Sequence, residues 1–324
     1  MSKPIRNPLL LDVASIREAQ QRIAPYIHRT PLIHSTTLSE EFDASIHLKL
    51  ECLQKTGSFK PRGAFNKLLT MSGEQRAAGV VGVSGGNHAQ GVAYAARSLG
   101  AHATICMPAT TPKNYLDATR SYGAKIVLAK DIHAAFATCA ELEKQGMSVV
   151  HPFDDRAVAA GQGTIALEIL EDLPTLSRIY ISIGGGGLIA GMAAALKATN
   201  PDIHVIGVET SGADAMARSI AAKQLIELPE ITSIARTLGA PKVSEMTYEH
   251  VRQYVDELVV VEDDETIEAM KFILERTKIL VEPAAACCLA AARRQKQAIG
   301  SDETVAILMC GGNVSVADLA SNGP

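Results

Sequence analysis

Short apolar, β-branched runs alternate with alanine-rich stretches of helical period through most of this chain, and few folds accept that alternation. The strand-like runs fall at 46–50, 79–83, 103–107, 125–128, 179–183, 204–208 and 305–309. Helical stretches at 87–99, 132–145, 161–170 and 188–198 lie between them. Strands that read as continuous apolar runs are buried on both faces, and strands that alternate with helices pair in parallel. The expected fold is therefore α/β, with open, twisted, mostly parallel sheets flanked by helices. In such sheets a ligand lies beyond the carboxyl ends of the strands, and several of these runs lead directly into glycine.

The expected domains are two. A small mobile αβ domain covers residues 71–154, and a larger discontinuous one takes residues 1–70 and 155–324. The segment from His151 to Asp155 reads as the crossing between them. A chain of 324 residues is long for one hydrophobic core and comfortable for two. Residues 224–248 lack periodicity and read as an irregular excursion.

Composition narrows the function by exclusion. At 47% hydrophobic and 20% charged residues the chain is globular rather than disordered. The formal net charge is −4, and the densest basic cluster, Arg293, Arg294 and Lys296, reads as a solvated helix face rather than a nucleic-acid patch. No apolar run approaches the roughly 18 residues a spanning helix needs. Met1 to Asn7 are polar and basic and only Pro8 to Leu11 follow as an apolar run, so no secretory leader is expected. The six cysteines show no CxxC spacing, which argues against zinc and against a disulfide framework and fits buried thiols of a cytoplasmic protein.

Chemistry concentrates at four places. Gly184, Gly185, Gly186 and Gly187 follow a strand and open a helix; such a turn brings several backbone N–H groups and a helix N-terminus toward one anion. The same region also fits a dinucleotide fingerprint: Gly185, Gly187 and Ala190 match G-x-G-x-x-A, and Glu209 stands where the ribose-binding acid would, about 20 residues on. An NAD-dependent oxidoreductase is thus a rival reading. Lys60 stands beside Phe59 and ahead of a helical run; burial lowers a lysine pKa and frees the amine for a Schiff base. Ser84, Gly85, Gly86, Asn87 and His88 end a strand and open another helix. Cys310 lies at the carboxyl tip of the last strand.

Together these segments resemble the tryptophan-synthase-β-like group of pyridoxal-phosphate enzymes (fold type II), in the branch of threonine/serine dehydratases and serine racemases. The resemblance runs from about Ile27 to Asn313. It rests on Ser58-Phe59-Lys60-Pro61-Arg62-Gly63-Ala64, Gly86-Asn87-His88-Ala89-Gln90-Gly91, His151-Pro152-Phe153-Asp154-Asp155, Ala160-Gly161-Gln162-Gly163-Thr164, the glycine run, Glu282-Pro283 and Cys310-Gly311-Gly312-Asn313. It implies pyridoxal 5'-phosphate in the cleft between the domains, carried by Lys60 as a Schiff base, with Phe59 against its ring and Asn87 on the ring hydroxyl. It further implies Gly184 to Gly187 on the phosphate and Cys310 on the pyridine nitrogen. Ser84 and the amides around Gly85 to His88 would hold the substrate carboxylate. The implied reaction is loss of water, then ammonia, from a β-hydroxy L-amino acid, threonine or serine first, with 3-hydroxyaspartate and phenylserine served by the same chemistry. A homodimer is the family expectation.

The chain also departs from its relatives. Racemases of this branch carry a second serine in the asparagine loop, where Gly85 has no side chain, so dehydration ranks above racemisation. Some relatives bind a divalent cation, Mg or Ca, through positions matching Glu209, Ala213 and Ala215. Here the last ligand is an alanine, with Asp214 adjacent, which leaves the set incomplete for a hard cation. Biosynthetic relatives carry a regulatory domain after the catalytic one, and no such segment follows Asn313, which favours a degradative role. The role of Glu282 stays open between substrate contact and helix N-terminal charge.

Overall fold

The structure is a computed structural model that describes residues 7–315; residues 1–6, which entered the reading of the N-terminus, and 316–324 lie outside the described residues. The strands are β1 Leu32–His34, β2 Ser45–Lys49, β3 Val80–Val83, β4 Ala103–Pro108, β5 Lys125–Ala129, β6 Ser148–Val149, β7 Arg178–Ser182, β8 His204–Thr210, β9 Glu257–Val261 and β10 Thr304–Leu308. They form a six-stranded sheet in the order β1-β2-β10-β7-β8-β9 and a four-stranded sheet in the order β5-β4-β3-β6. Every pairing is parallel except β1 with β2. The α/β architecture of two mostly parallel sheets is as the strand–helix alternation requires.

The helices follow in chain order as α1 Val13–Ile23, α2 Thr36–Phe42, α3 Lys60–Thr70, α4 Gly73–Ala78, α5 Asn87–Ser98, α6 Lys113–Ser121 and α7 Ile132–Lys144. After them come α8 Arg156–Asp172, α9 Gly187–Thr199, α10 Ala215–Ala222, α11 Glu245–Tyr254, α12 Asp263–Thr277 and α13 Pro283–Arg294. Of these described helices, six begin at a serine or aspartate whose side chain accepts an amide hydrogen bond. Asp131 caps α7 through the Ala134 amide, and Asp155 caps α8 through those of Ala157 and Val158. Among the helices without a side-chain cap, α5 follows Gly86 and α9 follows Gly186. Both follow the carboxyl end of a strand, where a ligand would meet their open amides.

The larger core buries both faces of the six-stranded sheet, with Ile179, Ile181, Val205, Ile206, Val305 and Ile307 fully inside. The irregular excursion at 224–248 is mostly non-repetitive, with one short 3-10 turn at Arg236–Leu238 before α11 begins. The basic cluster is less free than a solvated face: Arg293 forms a fork with Glu41 and lies 4.0 Å over the Phe272 ring, and Arg294 pairs with Glu265. No helix among the described residues is long and apolar enough to cross a membrane. All six cysteines are free and buried.

Glycine sets the distance between α8 and α9. A Cβ on Gly191 would lie 2.0 Å from the Ala159 carbonyl oxygen, and one on Gly163 would lie 2.7 Å from the Gly191 carbonyl. Backbone stands against backbone, so neither side can yield by rotating a side chain. Gly191→Ala should therefore destabilise the protein by about 1–3 kcal/mol or more through overpacking, read as a lowered midpoint in urea; a wild-type midpoint would show that the two helices can separate freely.

Candidate active site

Lys60 is the first residue of α3, and Pro61 in the helix's opening turn suits a position that needs no N–H donor. The segment before it is fastened to the end of β10. Phe59 N donates to Cys310 O at 3.1 Å, Gly312 N to Gly57 O at 2.9 Å, and Ser58 bridges Gly311. This pairing brings the Lys60 amine near the Cys310 thiol, residues far apart in sequence. The amine donates to Pro152 O at 3.0 Å and lies 5.1 Å from the Phe59 ring centroid. Burial pulls its pKa down to about 8, against the opposing influence of Cys310 and Glu282.

Behind Lys60 lies a buried cluster of four charges. Arg62 forks onto Glu51 with Nε and Nη2 at 2.8 Å each, and reaches Glu168 through Nη1 at 2.7 Å and Nη2 at 2.9 Å. Lys49 adds a 2.6 Å bond to Glu168 and one of 2.8 Å to Thr30 O. Thr164 Oγ1 accepts from Arg62 Nη1. Burial alone would pull the Arg62 guanidinium down, but Glu51 and Glu168 outweigh it and push its pKa up. The motif 160–164 is explained by the same contact: Gly161 lies under the Arg62 carbonyl, where a Cβ would come within 2.6 Å, and the Gln162 side chain accepts the Gly63 amide.

The asparagine loop approaches from the four-stranded sheet. Ser84 Oγ accepts the Gly86 amide at 3.1 Å. The Asn87 side chain donates to Glu282 Oε1 at 2.7 Å and accepts from Asn313 Nδ2 at 2.8 Å. Glu282 is the hub, since it also accepts from Thr237 Oγ1 and from the Asn313 amide. Its pKa is raised by burial in spite of these donors. Glu282 stands at the N-cap position of α13, but its carboxylate gives no cap bond and turns to Asn87, Thr237 and the Asn313 amide instead. His88 turns its ring to Val150 O at 2.8 Å, and burial drives its pKa down to about 3, so it stays neutral. Gly91 lets α5 pass close to the Lys60 backbone, with a Cβ there only 3.0 Å from Lys60 Cβ.

The glycine run has a steric cause that its sequence did not reveal. A Cβ on Gly185 would lie 2.0 Å from the Phe153 ring, one on Gly187 would lie 2.8 Å from Phe153 Cα, and Gly186 has φ +91° against Thr247. The turn is therefore glycine for close packing as well as for amide exposure. Cys310 is buried; its thiol donates to Ala284 O at 3.4 Å, and burial pushes its pKa well up, so it remains a neutral thiol.

Glu209 does not fit a ribose. Its two oxygens accept the Met216 and Ala217 amides at 2.9 and 2.7 Å, so it holds the start of α10. Of the possible cation ligands beside it, Ala215 has no oxygen in its side chain and Asp214 is paired with Arg218. Among the described residues no group of three or more His, Cys, Asp or Glu is placed to hold a metal. Thr237, Asn313 and Phe153 complete the site. Asn313 and Phe153 stood inside recognised motifs without a role, while Thr237 lies in the excursion and carried no local signal.

The profile of pyridoxal-phosphate-dependent enzymes matches residues 23–311. The chain belongs to that family. A catabolic L-threonine dehydratase of Staphylococcus aureus is 44% identical over 313 residues, 95% of this chain and 90% of the relative. An L-threonine ammonia-lyase of Thermotoga maritima is 42% identical over 309 residues, 95% of this chain and 77% of the relative. The solved structure of maize serine racemase superposes with a TM-score of 0.92 at 39% identity, covering 96% of both chains. The residues present suit the cofactor. They offer an amine of lowered pKa, an uncapped helix start behind a glycine turn, and two buried polar atoms without a hydrogen-bond partner, Ser58 Oγ and His88 Nδ1.

Two outcomes follow from this geometry. Arg62→Met leaves Glu51 and Glu168 short of their shared cation and should cost about 3–5 kcal/mol of stability in urea unfolding; a loss below about 1 kcal/mol would mean that the cluster relaxes without it. The Lys60 amine becomes neutral as pH rises through about 8. Reaction of the cofactor-free protein with pyridoxal phosphate should accelerate through that pH, whereas an inflection at the ordinary lysine value of 10.5 would contradict the burial.

Proposed function

We propose that this enzyme is a dehydratase, or ammonia-lyase, of β-hydroxy L-amino acids, L-threonine and L-serine first, and that it releases a 2-oxo acid and ammonia. The observation that carries the reading is the bond from Phe59 N to Cys310 O, which fastens the Lys60 segment to the end of β10 and so sets a buried amine of lowered pKa and a buried neutral thiol in one site. Bound pyridoxal phosphate supplies an electron sink that acidifies the substrate Cα proton. A neutral thiol at the ring nitrogen does not hold that nitrogen protonated as a carboxylate would. The sink would then be weaker, which suits prompt loss of a β-leaving group.

The chain's own residues divide the work. Lys60 Nζ holds the cofactor and, once free, takes the Cα proton as general base. Gly184 to Gly187 and the open start of α9 would hold the phosphate. Ser84 and the amides from Gly85 to His88 would orient the substrate carboxylate, Asn87 and Phe59 would position the ring, and Cys310 would lie toward its nitrogen. Departure of the hydroxyl as water leaves an enamine, which water converts to the 2-oxo acid and ammonia. Threonine gives 2-oxobutyrate and serine gives pyruvate.

Racemisation is the second reading, favoured by the similarity to a serine racemase structure. Gly85 argues against it, since it offers no side-chain proton donor to the face opposite Lys60. The proposal extends to a cytoplasmic homodimer, to be checked by sedimentation. Lys60→Ala should abolish 2-oxo acid release while leaving the fold intact by circular dichroism; near-wild-type turnover would sink the assignment. Efficient conversion of L-serine to D-serine, with little pyruvate, would put the racemase first.

A further inference from the structure

We infer that the Thr111 hydroxyl is a substrate-binding group that completes the carboxylate site of the asparagine loop, in space left open by Gly85. This deepens the proposed function and rests on its placing of an amino-acid carboxylate at that loop. Thr111 follows β4 by three residues and precedes Pro112, the residue before α6. Because β3 and β4 pair in parallel, with Val83 opposite Cys106, the turn after β4 and the asparagine loop after β3 leave the sheet on the same side. There the two touch. A Cβ on Gly85 would lie 2.8 Å from Thr111 Oγ1 but 3.7 Å from both Thr111 Cβ and Cγ2. The hydroxyl, not the methyl, faces the loop.

That hydroxyl is 8% exposed as part of its residue and has no hydrogen-bond partner among the described residues. An unsatisfied buried hydroxyl is unfavourable, and the near-isosteric valine would fill the same volume without the loss. A ligand that arrives later explains the choice of threonine. The neighbourhood tells which chemistry that ligand has. Gly86 starts α5 without a side-chain cap, so the amides of its first turn are open. Hydroxyl and amides are all donors, and a helix N-terminus favours negative charge. One residue further on, Asn87 contacts Glu282 and the would-be Cβ of Gly86 meets Thr237 at 3.4 Å, so this stretch of loop faces the cleft. The carboxylate of the amino acid fits this set of donors. Gly85 is then required because a side chain there would displace the Thr111 hydroxyl.

The test uses the cofactor-loaded enzyme and L-alanine, which has the carboxylate but no β-leaving group, so that binding is read without turnover. Binding is followed by the change in cofactor absorption on titration, with L-alaninamide as the partner lacking the carboxylate. Thr111→Val should weaken L-alanine binding about tenfold to a hundredfold, the loss expected for one hydrogen bond to a charged group. It should leave L-alaninamide binding unchanged and the melting temperature unchanged or higher. Thr111→Ser should keep L-alanine binding within about threefold, and Gly85→Ala should weaken it as Thr111→Val does. Unchanged L-alanine binding in Thr111→Val, or equal weakening for both ligands, overturns the inference. Should Thr111→Val fail to fold, wild-type L-alanine binding in Gly85→Ala overturns it as well. An enzyme that shows this Thr111 dependence yet releases no 2-oxo acid from threonine or serine would remove the dehydratase reading and leave the carboxylate contact standing.

Discussion

The position of Lys60 depends on a guanidinium two residues away. Arg62 lies on the next part of the same helical turn, fully buried, and its fork is held by Glu51 on one side and Glu168 on the other. Lys49 balances the second carboxylate, so the cluster carries two positive and two negative charges. Desolvating four ions is costly, and buried ion pairs seldom add much net stability compared with apolar packing. Their contribution here is direction. A planar fork accepts carboxylates from fixed angles, so α3 can neither rotate nor slide without breaking several charged bonds at once. The amine at the head of α3 inherits that fixity.

Close backbone contacts give the same helix its depth. Gly63, Gly91 and Gly161 allow α3 to touch α5 and α8 with almost no side-chain layer between them. Gly163 and Gly191 repeat the arrangement between α8 and α9. Lys60 on α3 and the glycine turn at the start of α9 are thus connected through α8 by backbone contacts, which are stiff because no rotamer can absorb a displacement. In their proposed roles the two would have to keep the spacing of one rigid ligand, and this stack suits that need.

The alternation of strands and helices was legible because each element carries its own period, and the runs at 103–107, 132–145 and 305–309 match β4, α7 and β10 to within a residue or so. The short edge elements were less legible: β1 has three residues and β6 two, too few to show a period. At the site, Asn87, Cys310 and the glycine run stood out because they follow the carboxyl ends of strands, whereas Lys60, well beyond the end of β2, stood out only through its motif beside Phe59. The charge cluster was not found, although Lys49, Glu51, Arg62 and Glu168 are all plain in the sequence. Nothing local distinguishes them from surface charges, and only the pairing of β2 with β10 and the packing of α3 on α8 bring them together. Glu209 failed as a ribose ligand for a related reason. Its spacing from the glycines was right, but α10 begins close enough for its open amides to take both carboxylate oxygens.

The electrostatics of the cleft follow from what it omits. Glu282 is buried with neutral donors, Asn87, Thr237 and the Asn313 amide, rather than with a cation, and its pKa rises. Lys60 is buried without an ion-pair partner among the described contacts, and its pKa falls. Both groups drift toward neutrality, and Cys310 is already neutral. On the proposed function, negative charge would enter with the ligands, as phosphate and carboxylate, and would be met by helix starts and hydroxyls instead of arginine. Those donors have fixed positions and bring little net charge of their own. The arrangement keeps a free lysine amine in a site that must also hold anions. A guanidinium beside the phosphate would depress the amine further, whereas a second ionised carboxylate would raise it and cost the base its neutral form.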